Sequence, residues 1–131
     1  MAADESYPED LRYHREHDWA RVDGDTAVVG ITWYAQDALG ELVHFEAPGE
    51  GASVAADESY GEVESVKAVS DLISPLTGEV IEVNQVVVDE PEKVNDDPYG
   101  GGWLIKIRLS DPAEAEGLLD VAAYKALLEE Q

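Results

Sequence analysis

The apolar positions of this chain fall into short runs that alternate in and out, broken at close intervals by glycine, proline, asparagine and aspartate. That is the pattern of a mostly β protein built from many short strands. Tyr13 to Val22, carrying Trp19 and Val22, and the β-branched run Thr26 to Ile31 flank Asp23-Gly24, a hairpin turn signal, and form a first strand pair. Thr32 is placed to cap a short helix through Ala38, and Gly40 stands where a glycine ends a helix. Leu42 to Glu46 reads as a strand stopped by Pro48-Gly49, and Glu50 to Tyr60 as a loop with a short strand near Val54. Asn84 to Val94 is an apolar patch running into a turn or a single helical turn, and Pro98 to Gly102 a flexible bend. In Trp103 to Leu109 the residues Trp103, Ile105, Ile107 and Leu109 share one face, so Lys106 and Arg108 face solvent. Asp111-Pro112 opens a helix, and Asp120 caps another from Val121 to Glu129.

One stretch departs from simple alternation. In Glu62 to Asp71, Val63, Val66 and Val69 do not hold one two-residue period, so the stretch reads as strand, break, strand, with Lys67 at the break. The turn Ser74-Pro75-Leu76-Thr77-Gly78 and the β-rich run Glu79 to Val83 complete a meander. Most exposed lysines are solvated charges that keep sheet edges soluble. Here, however, Val66, Ala68 and Val69 surround Lys67 where an ordinary turn favours Asn, Gly, Asp or Pro. A lysine that an enzyme must recognise needs to be held out on a rigid knob of this kind.

Composition narrows the chemistry. The 131 residues suit one domain. No apolar run is long enough for a membrane span, and Met1 to Asp10 has no basic or apolar region of a signal peptide, so the expectation is a soluble, cytoplasmic protein with a mobile acidic leader at 1–10 and a single domain at 11–131. There is no cysteine, which excludes disulfides, thiolate metal sites and cysteine nucleophiles, and any sulfur chemistry must come from a cofactor. A net charge of −22 argues against nucleic acid and anionic membranes as partners. It is spread along the chain, as on a solvated surface, and also suits steering onto positively charged partner faces.

No catalytic motif stands out. His14 and His17, with Glu16 and Asp18, could suggest a metal cluster, but in an extended strand positions 14 and 17 point to opposite faces, and no metal site is expected. No nucleophile elbow frames a serine, and no glycine loop has a phosphate-binding pattern. No turnover of the chain's own is expected from these residues. Trp19 and Trp103 are expected in the core; Trp33 is either a packing residue or a docking anchor.

Glu64-Ser65-Val66-Lys67-Ala68 followed by Ser70-Asp71 resembles the lipoylation site of the glycine cleavage system H proteins. So do Tyr13 to Trp19, Gly30-Ile31-Thr32 with Tyr34-Ala35-Gln36, Leu39-Gly40, Ser74-Pro75, Gly78-Glu79-Val80, Val94 to Tyr99 and Gly102 to Ile107, in that family's order over about residues 11 to 128. The resemblance implies a flattened barrel-sandwich hybrid of two antiparallel sheets, of the lipoyl and biotinyl carrier type, with a short early helix, C-terminal helices and Lys67 at a hairpin tip. Lys67 would carry lipoic acid as an amide, attached by a lipoate-attaching enzyme that reads Glu64, Ser65, Val66 and Ala68. A pyridoxal-phosphate-dependent glycine decarboxylase would pass an aminomethyl group to a lipoyl sulfur. A tetrahydrofolate-dependent aminomethyltransferase would take the one-carbon unit and free ammonia, and a dihydrolipoyl dehydrogenase using FAD and NAD would reoxidise the dithiol.

In the resembling family the loaded arm folds back near the positions of Glu16-His17-Asp18 and of Asp71, which makes these four the candidates to hold it. Asp18 is shorter than the family's glutamate, Glu16 stands where other members carry serine, Trp33 where many have aspartate, and His44 where many have an aromatic residue. Rival readings are a biotin carrier, which has methionine on both sides of its lysine, and a lipoyl domain of a 2-oxoacid dehydrogenase, which continues into a linker and catalytic domain. More distant are a lipoate relay protein and an unmodified structural or regulatory homologue.

Overall fold

The computed structural model describes residues 3–131. Among them nine strands, β1 Arg12–Tyr13, β2 Asp18–Asp23, β3 Thr26–Ile31, β4 Leu42–Glu46, β5 Ser53–Val54, β6 Ser59–Ser65, β7 Val69–Ile73, β8 Gly78–Val83 and β9 Ile105–Leu109, form two antiparallel sheets. The larger has the order β1-β2-β3-β9-β8-β5 and the smaller β4-β6-β7. The two do not close into a barrel. Helices α1 Trp33–Leu39, α2 Gln85–Asp89, α3 Lys93–Asp96 and α4 Val121–Glu129 complete the chain, with a 3-10 turn over Pro112–Gly117.

Local chemistry accounts for the element ends. Asp23 and Thr26 pair across the expected hairpin, and Gly24 adopts φ 64°, which glycine takes without steric cost. Thr32 caps α1 by accepting from Ala35 N–H, and the Gly40 N–H closes the helix on the Gln36 carbonyl. Asp111 and Asp120 cap as expected, although Pro112–Gly117 winds as a 3-10 helix and not as an α-helix. The region 84–94 folds as two short helices around Pro91, the first capped by Asn84.

Two apolar clusters hold the fold. Between the sheets lies an aliphatic one, including Val29, Leu42, Phe45, Val63, Leu72, Leu76, Val80, Ile105 and Ile107. At the β1–β2 end is an aromatic one of Leu11, Tyr13, Trp19, Tyr99 and Tyr124, against which Tyr7, Trp33 and Trp103 pack. Trp19 is fully buried as expected, whereas Trp103 is only half-buried, because its strand starts later, at Ile105.

The expected strand from Tyr13 to Val22 is interrupted. Residues 14–17 make a tight turn in which His14 N–H donates to Asp18 O, His17 N–H donates to His14 O, and His17 takes φ 75°. This is the bend that alternation concealed, and it brings His14 and His17 into one turn. The leader also makes defined contacts from Ala3 onward: Ala3 N–H donates to Asn95 O, the Tyr99 hydroxyl to Ser6 O and the Tyr13 hydroxyl to Pro8 O, while Tyr7 packs edge-on against Tyr124. Met1 and Ala2 lie outside the described residues.

Candidate functional site

The β6–β7 hairpin ends in a turn over residues 66–68. Glu64 pairs with Val69, Val63 with Ser70 and Glu62 with Asp71, so the tip is held by a continuous ladder. Ser65 ties the turn from inside. Its hydroxyl oxygen accepts from Lys67 N–H at 3.3 Å and Ala68 N–H at 3.1 Å, and its own N–H donates to Ala68 O at 2.8 Å. Val66 N–H donates to Glu41 O, which pins the tip to the segment between α1 and β4. Among the described residues Lys67 makes no ion pair within 4.0 Å. Its stem passes Gly40, where an added Cβ would lie 3.5 Å from the Lys67 Cε.

The tip is therefore rigid in its backbone and open at its side chains. Val66 is 69% exposed and Val69 60%, which is unusual for aliphatic side chains and gives the lysine an apolar border. Of the residues expected to mark the lysine for recognition, Glu64, Val66 and Ala68 face solvent, while Ser65 is turned inward to knit the turn.

Beside the tip is a cleft of about 230 Å³. The 14–17 turn supplies Glu16 and His17, α1 supplies Tyr34, Ala35, Ala38 and Leu39, and β7 supplies Ser70, Asp71 and Ile73. Three of the four candidate arm-holding residues thus meet in one place. The fourth, Asp18, does not line it. It is 1% exposed, with a backbone hydrogen bond from Ile73 of the cleft wall and with Oδ2 buried and unpartnered among the described residues. Burial, with Glu16 nearby, pushes its carboxyl well above the usual carboxylate range despite that bond.

The family model described as Glycine cleavage H-protein matches residues 11–131. The chain belongs to the glycine cleavage H-protein family. A glycine cleavage system H protein of Anaeromyxobacter sp. (strain K) is 56% identical over 124 residues, covering 95% of this chain and 97% of the relative. One from Carboxydothermus hydrogenoformans is 51% identical, with 95% of each covered. The crystal structure of a glycine cleavage system H protein from Mycobacterium marinum superposes with a TM-score of 0.87 at 40% identity, covering 94% of this chain and 99% of that one.

In this H-protein family member the two histidines serve separate partners. His14 is buried; its Nδ1 accepts Glu16 N–H at 3.0 Å, so Nε2 carries the proton and donates to Asp57 Oδ1 at 2.6 Å. His17 Nδ1 lies 2.8 Å from the Tyr124 hydroxyl and its ring packs 4.5 Å from that of Tyr34. Among the described residues no group of three His, Cys, Asp or Glu side chains is arranged around a metal position. Trp33 Nε1 donates to Ala3 O and its N–H to the Tyr99 hydroxyl, the environment of a packing residue. His44 is exposed and bonds Glu46. Among the described residues no helix is long and apolar enough to cross a membrane.

The α1 wall was accessible to sequence reading, since Tyr34, Ala35, Ala38 and Leu39 recur at helical spacing. Asp57 and Tyr124 carried no signal, because their partners are distant in the chain and adjacent only after folding.

Proposed function

We propose that this chain is a lipoyl carrier of the glycine cleavage system, accepting the aminomethyl group at the decarboxylase, delivering it to the aminomethyltransferase and presenting the reduced arm to the dehydrogenase. The observation that supports this most is Lys67, exposed on a rigid hairpin tip with an exposed valine on either side and no ion pair among the described residues. The residues present fit the group: an exposed amine for the amide, a cleft within the same end of the molecule, and behind its wall a buried carboxyl oxygen with no partner among the described residues. Bound lipoate would supply a dithiolane that takes up the aminomethyl group with two electrons.

The chain's own contribution is to guard an amine. A neutral amine beside a carbon–sulfur bond can expel the thiolate, whereas an ammonium lacks the lone pair that drives expulsion. Asp71 at the cleft and Asp18 behind it are the carboxylates we assign to favour the ammonium, with Glu16 and His17 forming the adjoining wall. Burial favours the neutral form of the Asp18 carboxyl, and a cation in the cleft would favour the charged form. The apolar side chains of α1 exclude water. Tethering the carried group raises its effective concentration at each enzyme in turn.

Three measurements test the reading. A peptide mass map of protein made in cells supplied with lipoate should show a lipoyl increment on the Lys67 peptide that is absent from Lys67→Ala; a bare Lys67 would end the carrier mechanism. Loss of the carried aminomethyl group to water should accelerate in Asp18→Asn and Asp71→Asn, and an unchanged lifetime would remove both from the arm-holding role. Complementation of a glycine-cleavage-deficient strain separates this function from a lipoate relay or an unmodified homologue.

A further inference from the structure

The aromatic cluster contains a directed chain of hydrogen bonds that ends at the cleft. Thr32 Oγ1 accepts Ala35 N–H as the α1 cap, which leaves its own proton to donate. The Tyr124 hydroxyl lies 2.8 Å from Thr32 Oγ1 and 2.8 Å from His17 Nδ1. The Gln131 side chain lies near enough to the His17 ring to favour a proton on it. With Thr32 donating to the Tyr124 hydroxyl, that hydroxyl has its own proton left for His17 Nδ1, which makes Nδ1 the acceptor and places the ring proton on Nε2. One assignment then satisfies the three bonded atoms: Thr32 O–H donates to Tyr124, and Tyr124 O–H donates to His17 Nδ1.

The backbone converges on the same ring. His17 N–H is bonded to His14 O, and its carbonyl accepts Thr32 N–H at 3.0 Å. Its φ of 75° is uncommon for a residue with a side chain, and such a conformation persists where surrounding bonds determine it. Tyr124 is fully buried and stacks on Tyr13 at 4.6 Å and 8°, so its hydroxyl has little freedom to move. Burial lowers the His17 imidazole below its ordinary range against the upward pull of Glu16 and Gln131, and raises the Tyr124 hydroxyl, in keeping with a neutral ring and a donating phenol.

We propose that Tyr124 is a positioning residue of the carrier cleft, holding His17 as the neutral Nε2–H tautomer so that the wall opposite β7 bears no positive charge against a cationic amine. The idea rests on the proposed carrier function. A protonated or rotated His17 would set a like charge, or an unpartnered nitrogen, where an ammonium has to sit. Tyr124 touches no carried group. It acts through His17.

The test compares two phenols in one stack. Tyr124→Phe and Tyr13→Phe each keep a ring and lose a hydroxyl, but the Tyr13 hydroxyl bonds Pro8 O, away from the cleft. In the unmodified chain, nitrogen NMR of labelled histidine should show His17 as Nε2–H in wild type and Tyr13→Phe, and as mixed or reversed tautomers in Tyr124→Phe. In the lipoylated chain, well below every unfolding transition, Tyr124→Phe should lose the carried aminomethyl group to water about ten-fold faster than wild type, and Tyr13→Phe at the wild-type rate. An Nδ1–H tautomer in wild type would overturn the inference. So would equal loss rates in wild type and Tyr124→Phe, or equal acceleration in the two variants. Should Tyr124→Phe fail to fold, the wild-type nitrogen spectrum decides alone: a His17 Nε2–H tautomer supports the inference and an Nδ1–H tautomer overturns it. A lipoylated wild-type chain that takes up no aminomethyl group sinks the carrier function and this inference together, whereas uptake with equal loss rates sinks the inference alone.

Discussion

The two apolar clusters are built on different physics. Between the sheets, Val29, Val63, Leu72, Leu76, Ile105 and Ile107 are buried side chains without polar atoms, held by non-directional burial and dispersion. In the aromatic cluster each ring is both buried and aimed. Trp19 Nε1 reaches the carbonyls of Ile31 and Pro98, Tyr13 that of Pro8, Tyr99 that of Ser6, and Tyr124 bridges His17 and Thr32. The aliphatic cluster stabilises the sandwich and presents the lysine hairpin; the aromatic cluster fixes the directions of the residues that form the cleft. Stability and placement are thus separable in this molecule, and substitution should separate them.

The largest effect is expected in the aliphatic cluster. Leu72→Ala removes a fully buried side chain from β7 and should cost about 3 kcal/mol in urea denaturation, while Leu72→Met costs under about 1.5 kcal/mol. Equal losses for the two would mean that this cluster is as shape-specific as the aromatic one. Next is Gly30→Ala. Its Cβ would fall 2.7 Å from the Trp19 ring, which two hydrogen bonds prevent from yielding, and a loss of about 2 kcal/mol should follow. A Gly30→Ala protein as stable as wild type would show that the indole can move, and that the aromatic cluster is less directional than its bonds suggest.

Asp18 lies between the two, since its carboxyl is an electrostatic neighbour of both Tyr60 and Tyr124. Burial raises its carboxyl in the folded state, so above the unfolded value of about 4 the unfolded chain releases the proton first. Stability contributed by the protonated group is complete at low pH and declines as pH rises toward the folded value, by at most about 1.4 kcal/mol per pH unit. Asp18→Asn should remove that slope in paired unfolding curves, and parallel curves for the two proteins would refute it. The smallest effect is that of Lys67→Ala, exposed and without an ion pair among the described residues, which should change stability by under about 0.5 kcal/mol while abolishing lipoylation. A larger destabilisation would show that the lysine stem on Gly40 contributes to packing.

Much of the architecture was readable from local signals. The Asp23-Gly24 hairpin, the Thr32 cap and Gly40 stop, the break at Lys67 and the caps at Asp111 and Asp120 each depend on residues within a few positions of one another. The 14–17 turn was not readable, because its bend is secured by Asp57, Tyr124 and Thr32, which are remote in the chain. For the same reason Asp18 could be named from the motif around Trp19, yet its position behind the cleft wall depends on Ile73 of another sheet. The sequence by itself determined a short-stranded β protein, free of cysteine and strongly acidic, with one lysine held out on a knob. Only the tertiary structure decided which side chains share the cleft, which carboxyl is buried and which hydroxyl faces His17. Backbone preferences and caps act over one turn of chain, whereas burial, charge and hydrogen-bond direction arise between segments that meet only when the chain has folded.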